Sequence, residues 1–159
     1  MHPNVTRVVD AARLSGLEIE IERFPEGTRT AADAARAVGC DVAQIVKSLV
    51  FMVDEKPVLA LMSGVNRVDL ARLASAVAAT AARRANGDEA RAATGFAIGG
   101  VPPFGHPRRL AVLVDRDLIA HEWLWAAAGL PDAVFRVSPS ELMRASGGTV
   151  ANLAEVPPG

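Results

Sequence analysis

The chain has 159 residues, 50% of them hydrophobic, which suits one domain with a buried core, so residues 1–159 are interpreted as a single domain. Its formal net charge is −1 and its aromatic content is 4%, which argues against a broad basic or base-stacking surface for nucleic acid. No apolar run reaches the length of a transmembrane helix and the first residues lack a signal peptide's apolar core, so we expect a cytoplasmic protein without membrane contact.

The first third of the chain predicts a helix, a strand and a second helix. Apolar residues recur at helical spacing over 5–14. Apolar and polar residues then alternate strictly over 17–24, the pattern of a half-buried strand. Thr30 is a good N-cap for a helix over 31–38, because its hydroxyl can accept a hydrogen bond from an N–H of the first turn.

The middle of the chain predicts a hairpin followed by short elements. The two apolar runs, 46–53 and 58–62, are separated by turn-forming residues and read as paired strands. A helical pattern follows over 69–77, then a short strand within 78–84 and a short helix over 87–95.

The segment 95–107 is the most constrained in the chain, with four glycines and three prolines among apolar residues. Glycine permits positive φ and close approach of the backbone, whereas proline fixes φ and removes an N–H donor. Such a loop is typical either of a rigid backbone held against a small ligand or of a tight structural turn before the strand predicted over 110–114. Both interpretations remain open.

The last third contains one ambiguous segment and one clear helix. The alanines within 121–129 favour a helix, although the segment also fits a strand. Residues 138–146 predict a helix that begins with proline near its first position and ends at two glycines.

Several familiar catalytic patterns are missing from the sequence. The three histidines are scattered and Cys40 stands alone, so no metal site is expected, and Cys40 is interpreted as a buried structural thiol. The chain has no G-x-S-x-G elbow, no Walker A loop and no Rossmann fingerprint, so we expect no cofactor. Lys47 is more informative, because a lysine at the start of an apolar strand must either snorkel to solvent or face a polar site.

Three segments together resemble the YbaK/prolyl-tRNA-editing family of aminoacyl-tRNA deacylases. They are Gln-Ile-Val-Lys-Ser-Leu at 44–49, Asn-Arg-Val-Asp-Leu at 66–70, and the glycine-proline segment up to His106. Their order and spacing agree with the family over roughly residues 20 to 155. The resemblance implies an α+β domain whose mixed, barrel-like sheet is flanked by helices, and it implies a strand within 121–129.

The resemblance also implies a function, namely trans-editing hydrolysis of mischarged tRNA. The implied substrate is tRNA(Pro) carrying alanine, serine, threonine or cysteine, bound through its acceptor end, with prolyl-tRNA synthetase as a further partner. The lysine that matches Lys47 is essential in the family, and it could hold a terminal phosphate or support developing negative charge. We therefore expect catalytic roles for Lys47, Gly99 and Gly100. The residues expected to bind substrate are Thr28, Asn66, Val101, Pro102, Pro103, Phe104, Gly105 and His106.

Two other functions fit the same residues. One is a non-catalytic module that binds a synthetase or a tRNA, and the other is an esterase acting on small metabolites. Two arginine pairs, 83–84 and 108–109, could contact tRNA or could simply be solvated surface.

Overall fold

The structure, a computed structural model, describes residues 1–24 and 30–156. The five α-helices within these ranges are α1 (Pro3–Leu14), α2 (Ala31–Val38), α3 (Leu70–Ala76), α4 (Gly87–Thr94) and α5 (Pro139–Ser146). Two 3₁₀ helices cover Val42–Gln44 and Arg116–Ala120. None of the helices in the described ranges is long and apolar enough to cross a bilayer.

Eight strands form two sheets in the described parts of the chain. They are β1 (Ile21–Arg23), β2 (Val46–Val53), β3 (Lys56–Ser63), β4 (Ala82–Arg84), β5 (Ala111–Asp115), β6 (Leu124–Ala127), β7 (Ala133–Val137) and β8 (Thr149–Ala151). The smaller sheet has the order β1-β7-β6 and is antiparallel. The larger sheet has the order β4-β2-β3-β5-β8 and is mixed, with β3, β5 and β8 parallel to one another.

The helix ends follow from local capping chemistry. Thr30, Asn86 and Ser138 each form a capping box with an acidic side chain three residues later, so α2, α4 and α5 begin where the sequence offers these groups. The Asp69 carboxylate accepts hydrogen bonds from two N–H groups of the first turn of α3. Capping therefore explains why short, alanine-rich segments form helices at these positions.

The predicted hairpin is confirmed, with β2 and β3 paired from Val46–Ser63 to Val53–Lys56. Its turn is the two residues Asp54 and Glu55, both with positive φ, as expected of a type I′ turn. The Asp54 carboxylate accepts hydrogen bonds from the N–H groups of Thr80 and Ala81, which fastens the turn to the chain that leads into β4.

Other strand predictions differ from the structure in extent. The strand expected over 17–24 is shorter in the structure, where only β1 pairs with β7; the Leu17 N–H is instead bonded to Ala12 O at the end of α1. The strand implied within 121–129 is confirmed as β6, which pairs with β7. β8 was not predicted, since three residues after a glycine pair carry no alternation signal.

The domain is a single mixed α/β unit, as the resemblance implied, but within the described residues its strands form two sheets and no closed barrel. In residues 1–24 and 30–156, one bridge, between Ile45 and Trp125, joins the two sheets where β2 begins. One face of β2, including Val46 and Val50, packs into the large core with α1, β6 and β7. The other face, including Phe51, packs with α3 in a second core.

Candidate functional site

A cavity of about 270 Å³ lies beside β2, at an edge of the strand that is only partly covered. β4 pairs with β2 only from Phe51 to Val53, and the bridge to β6 is made by Ile45. The stretch of β2 between these contacts, which includes Lys47, forms one side of the cavity wall. The wall is completed by α2, by α4 and by the glycine-proline loop. The lining residues are Thr30, Ala31, Ala34, Ile45, Val46, Lys47, Ser48, Leu49, Val50, Arg84, Ala85, Ala90, Ile98, Gly99, Val101 and Ala127.

Ser48 lies at the centre of this uncovered edge of β2. The tight hairpin makes Val53 and Lys56 a hydrogen-bonded pair, so by alternation Lys47 directs its backbone groups toward β3. Val50 O instead accepts a hydrogen bond from Ala85 N across the other edge. The N–H and C=O of Ser48 therefore point toward the cavity. The Ser48 hydroxyl is buried and has no hydrogen-bond partner in the described part of the chain.

Lys47 is half-buried, and its Nζ donates a hydrogen bond of 2.6 Å to Asn66 O. Burial lowers the pKa of the Lys47 ammonium, and the nearby cations Arg84 and Arg67 lower this pKa further. The Asp115 carboxylate acts in the opposite direction and raises the Lys47 pKa. Lys47 is therefore a fixed cation at the cavity and does not simply snorkel into solvent.

Asn66 is held in place by two carboxylates. Its Nδ2 donates to Asp115 Oδ2 at 2.8 Å and to Asp117 Oδ2 at 2.7 Å. Asp115 is fully buried, and it also accepts hydrogen bonds from the N–H groups of Ser63 and Asp117. The chain of contacts from Asp115 through Asn66 to Lys47 fixes the position of the ammonium group.

The first part of the glycine-proline loop lines the cavity. Gly99 has φ +93°, and a Cβ added there would contact only Pro131 Cγ, at 3.8 Å. The Gly100 N–H is already bonded to Ala97 O at 3.0 Å. In the described parts of the chain, the N–H groups of Gly99 and Val101 have no such partner, so both are available to a ligand in the cavity.

Gly100 itself faces away from the cavity. A Cβ added at this residue would lie 3.0 Å from Gly129 O and 3.0 Å from the Leu130 Cα. Gly100 must therefore be glycine because its backbone lies against the β6–β7 turn, not because it lies against the cavity. In its turn Gly129 packs against Asn4 at the start of α1, and Asn4 Nδ2 donates to Gly129 O.

The second part of the loop, residues 102–106, packs against the core. Phe104 is buried with its ring centroid 5.6 Å from that of Phe135, and a Cβ added at Gly105 would lie 3.2 Å from Ala11 Cβ of α1. His106 Nε2 hydrogen bonds with Pro102 O at 2.8 Å. Burial lowers the pKa of the His106 imidazole, which is therefore neutral near pH 7 and donates this hydrogen bond.

The structure thus brings together only some of the residues singled out in the sequence. Lys47, Gly99 and Val101 line the cavity, and Asn66 contacts Lys47. Gly100 and residues 102–106 lie behind the cavity wall, and Thr28 lies outside the described residues. Sequence reasoning overlooked Asp115 and Ser48. The only signal for Asp115 was an acidic residue at the end of a buried strand.

The remaining candidates for metal binding or nucleophilic chemistry do not form a site. Burial and the Asp41 carboxylate raise the pKa of the Cys40 thiol, which disfavours the thiolate needed for nucleophilic attack. Across residues 1–24 and 30–156, no three histidine, cysteine, aspartate or glutamate residues are grouped so that they could hold a metal ion.

Comparison with known proteins relates this chain to one family. A family model described as the aminoacyl-tRNA editing domain matches residues 25–145. The crystal structure of a proposed trans-editing enzyme for prolyl tRNA synthetase is 44% identical, with a TM-score of 0.92 and coverage of 98% of this chain and 99% of that one. A crystal structure of a protein described only as hypothetical is 28% identical, with a TM-score of 0.86 over 94% of this chain and 99% of that one.

The curated relatives are much longer proteins. A proline–tRNA ligase of Ligilactobacillus salivarius is 32% identical over 90 residues, which are 57% of this chain and 16% of the ligase. A proline–tRNA ligase of Streptococcus thermophilus is 30% identical over 113 residues, which are 71% of this chain and 17% of the ligase. The chain therefore spans about a sixth of the length of these relatives.

Proposed function

This chain belongs to the aminoacyl-tRNA editing domain family, and on that premise we propose that it hydrolyses the ester between a wrongly attached small amino acid and its tRNA. The proposed substrate is tRNA(Pro) carrying alanine, serine, threonine or cysteine, and the proposed contact is with the acceptor end. One observation carries the proposal, namely the small cavity whose wall combines Lys47 with the backbone of Gly99 and Val101.

The size and lining of the cavity support a small amino acid as the group that enters it. Its volume of about 270 Å³ is below that of sites for drug-sized ligands, which are roughly 300–1,000 Å³. Most of its wall consists of alanine, valine and isoleucine side chains. An aminoacyl group fits such a space, whereas a complete aminoacyl-nucleoside would have to leave its nucleoside at the mouth.

The proposed reaction is attack of water on the ester carbonyl carbon. The carbonyl oxygen gains negative charge as the carbon–oxygen bond forms, and the ester bond to the ribose oxygen then breaks. The proton released by water passes to that ribose oxygen, with the vicinal ribose hydroxyl as carrier, giving a free amino acid and a free tRNA end. The protein supplies orientation and charge stabilisation, as suits an already activated ester.

Two groups of this chain are positioned to stabilise the developing charge. The Lys47 ammonium is held by Asn66 O and is partly shielded from bulk solvent. Its interaction with a developing negative charge is therefore stronger than it would be in water. The N–H groups of Gly99 and Val101 are donors in the wall of the same cavity. We assign the charge-stabilising role to these groups and a positioning role to Asn66.

A deacylation panel tests the proposal. The substrates are tRNA(Pro) charged with alanine, serine, threonine, cysteine or proline, each followed with wild-type protein and with Lys47→Ala. We expect wild-type protein to release at least one wrong amino acid faster than spontaneous hydrolysis and to spare prolyl-tRNA(Pro). Hydrolysis of none of the mischarged species above the spontaneous rate would overturn the proposal and leave the non-catalytic binding module or the small-metabolite esterase.

The same panel, extended to a minimal aminoacyl-adenosine and a simple amino-acid methyl ester, distinguishes a trans-editing hydrolase from an esterase for small metabolites. An esterase for small metabolites would hydrolyse the methyl ester at least as efficiently as the tRNA. A trans-editing hydrolase should prefer the tRNA, because it gains binding energy from the acceptor end.

A further inference from the structure

The adjacent arginines of β4 differ in what engages them. Arg83 makes paired hydrogen bonds to Glu55 at 2.8–3.1 Å and to Glu89 at 2.7–2.8 Å, so its guanidinium charge is fully compensated. Arg84, on the opposite face of the strand, forms no ion pair or hydrogen bond through its guanidinium with any residue in 1–24 or 30–156. Arg84 is also one of the residues that line the cavity.

The Arg84 guanidinium is nevertheless held in position. Its Cζ lies 5.6 Å from the ring centroid of Phe51, the residue opposite it in β2, and the Phe51 ring is buried. A cation–π contact of this kind favours this placement of the guanidinium while leaving its N–H donors available. Arg84 therefore presents an unused set of donors beside the cavity.

Arg84 is also part of a local excess of positive charge. Arg84 and Arg67 both lower the pKa of Lys47, which places two arginines within electrostatic reach of this ammonium, whereas buried Asp115 raises the same pKa. An anion that binds between these cations would therefore meet attractive charges from more than one side.

We propose that Arg84 binds a phosphate group of the acceptor end while the aminoacyl ester lies in the cavity beside Lys47. The site would take a nucleotide phosphate, because a guanidinium pairs with two phosphate oxygens at once. This inference rests on the proposed function and divides the arginine pair into an anion-binding residue, Arg84, and a structural residue, Arg83.

Arg84→Ala and the matched control Arg83→Ala test the proposal on mischarged tRNA(Pro). We expect Arg84→Ala to raise KM about tenfold with little change in kcat, since a phosphate contact is made equally in ground and transition states. The loss should be much smaller on aminoacyl-adenosine, which has no phosphate.

The slope of log(kcat/KM) against log[salt] should become shallower by about 0.7, the value for one contact to a single strand. Arg83→Ala should lower the Tm and leave KM unchanged. Equal KM values for Arg84→Ala and wild type would overturn the assignment.

A binding measurement separates this inference from the proposed activity. Adenosine 5′-monophosphate, adenosine and inorganic phosphate are titrated by NMR into wild type and both variants. We expect the monophosphate to bind more weakly to Arg84→Ala only, and adenosine to bind all three proteins alike. If the proposed deacylation fails but this difference appears, the phosphate site stands without the activity. If the monophosphate binds all three alike, or only inorganic phosphate discriminates, the assignment to a nucleotide phosphate is wrong.

Discussion

The two regions on either side of the cavity wall differ in what their residues contact. We call Lys47, Gly99 and Val101 the cavity wall, and Gly100 together with residues 102–106 the packed shell. The wall borders open space, whereas the shell contacts α1, β7 and the β6–β7 turn. Neighbours in one sequence motif thus fall in different regions, so the motif as a whole cannot be assigned one role. Substitutions in the wall should change turnover, and those in the shell should change stability.

Lys47→Ala should give the largest effect and should leave the fold intact. Loss of one strong transition-state donor lowers turnover by roughly 10²–10³-fold. The measurement is kcat on mischarged tRNA(Pro) together with the Tm, which should change little because Lys47 is only half-buried. Lys56→Ala, at the exposed start of β3, is the matched control. Near wild-type turnover in Lys47→Ala would remove this residue from the mechanism.

Gly100→Ala and Gly99→Ala should divide stability from activity. A Cβ on Gly100 would meet two backbone atoms at 3.0 Å, so we expect a loss of about 1–3 kcal/mol of unfolding free energy, or roughly 2–4 °C of Tm per kcal/mol. Gly99→Ala has space but strains a φ of +93°, which lowers stability, and it displaces backbone in the cavity wall, so turnover per folded molecule should also fall. Thermal melts and active-site-normalised rates measure the two effects. Early melting of Gly99→Ala with unchanged turnover would place Gly99 in the packed shell.

Asp115→Asn should shift the pH dependence of turnover. The Asp115 charge raises the Lys47 pKa, so its removal lowers that pKa further and the ammonium is lost at a lower pH. In a plot of kcat against pH, the fall in kcat at alkaline pH should therefore occur at lower pH. This shift is expected even if Asp115→Asn also lowers the Tm. Asp117→Asn is the control, because exposed Asp117 also contacts Asn66 but is screened by water. The absence of this shift in Asp115→Asn would show that Asp115 has only a structural role.

His106→Gln should give the smallest effect, visible only in stability at mildly acidic pH. Because the folded pKa of His106 lies below its ordinary value of 6.5, the unfolded chain binds the proton first, and stability is lost as pH falls below about 6.5. Glutamine can keep the hydrogen bond to Pro102 O without this titration. The Tm difference between pH 7.5 and pH 5.5 should be larger for wild type than for His106→Gln. Identical differences in the two proteins would contradict the assignment.

Much of the secondary structure could be predicted because its causes are local. Thr30 and Ser138 mark helix starts through contacts within four residues, and the alternation of β2 and β3 with a short turn defines the hairpin. β1 was predicted too long, since the alternation over 17–24 does not reveal that Leu17 bonds back to Ala12 at the helix end or that β7 pairs only with residues 21–23. The division of the strands into two sheets depends on contacts between residues far apart in the sequence. The periodicity of apolar residues carries no information about such contacts.

The candidate site was predicted in part for the same reason. Lys47 stood out in the sequence as a charge in an apolar run. Its pKa is lowered mainly by burial, which agrees with a lysine that is partly withdrawn from solvent. The different surroundings of Gly99 and Gly100 could not be predicted, because they depend on Gly129, about 30 residues away in the sequence. The difference in charge pairing between Arg83 and Arg84 could not be predicted either, because Arg83 pairs with Glu55 in the distant β2–β3 turn.

The two-residue turn at Asp54 and Glu55 decides which of two neighbouring residues becomes the cation of the site. Side chains alternate across a strand, so a slip of one residue between β2 and β3 would exchange the faces occupied by Lys47 and Ser48. The ammonium would then enter the large apolar core, and a hydroxyl would take its place beside Asn66. By fixing the length of the hairpin and fastening it to Thr80 and Ala81, the turn sets the chemical identity of a cavity whose nearest lining residue, Val50, is four residues away along β2.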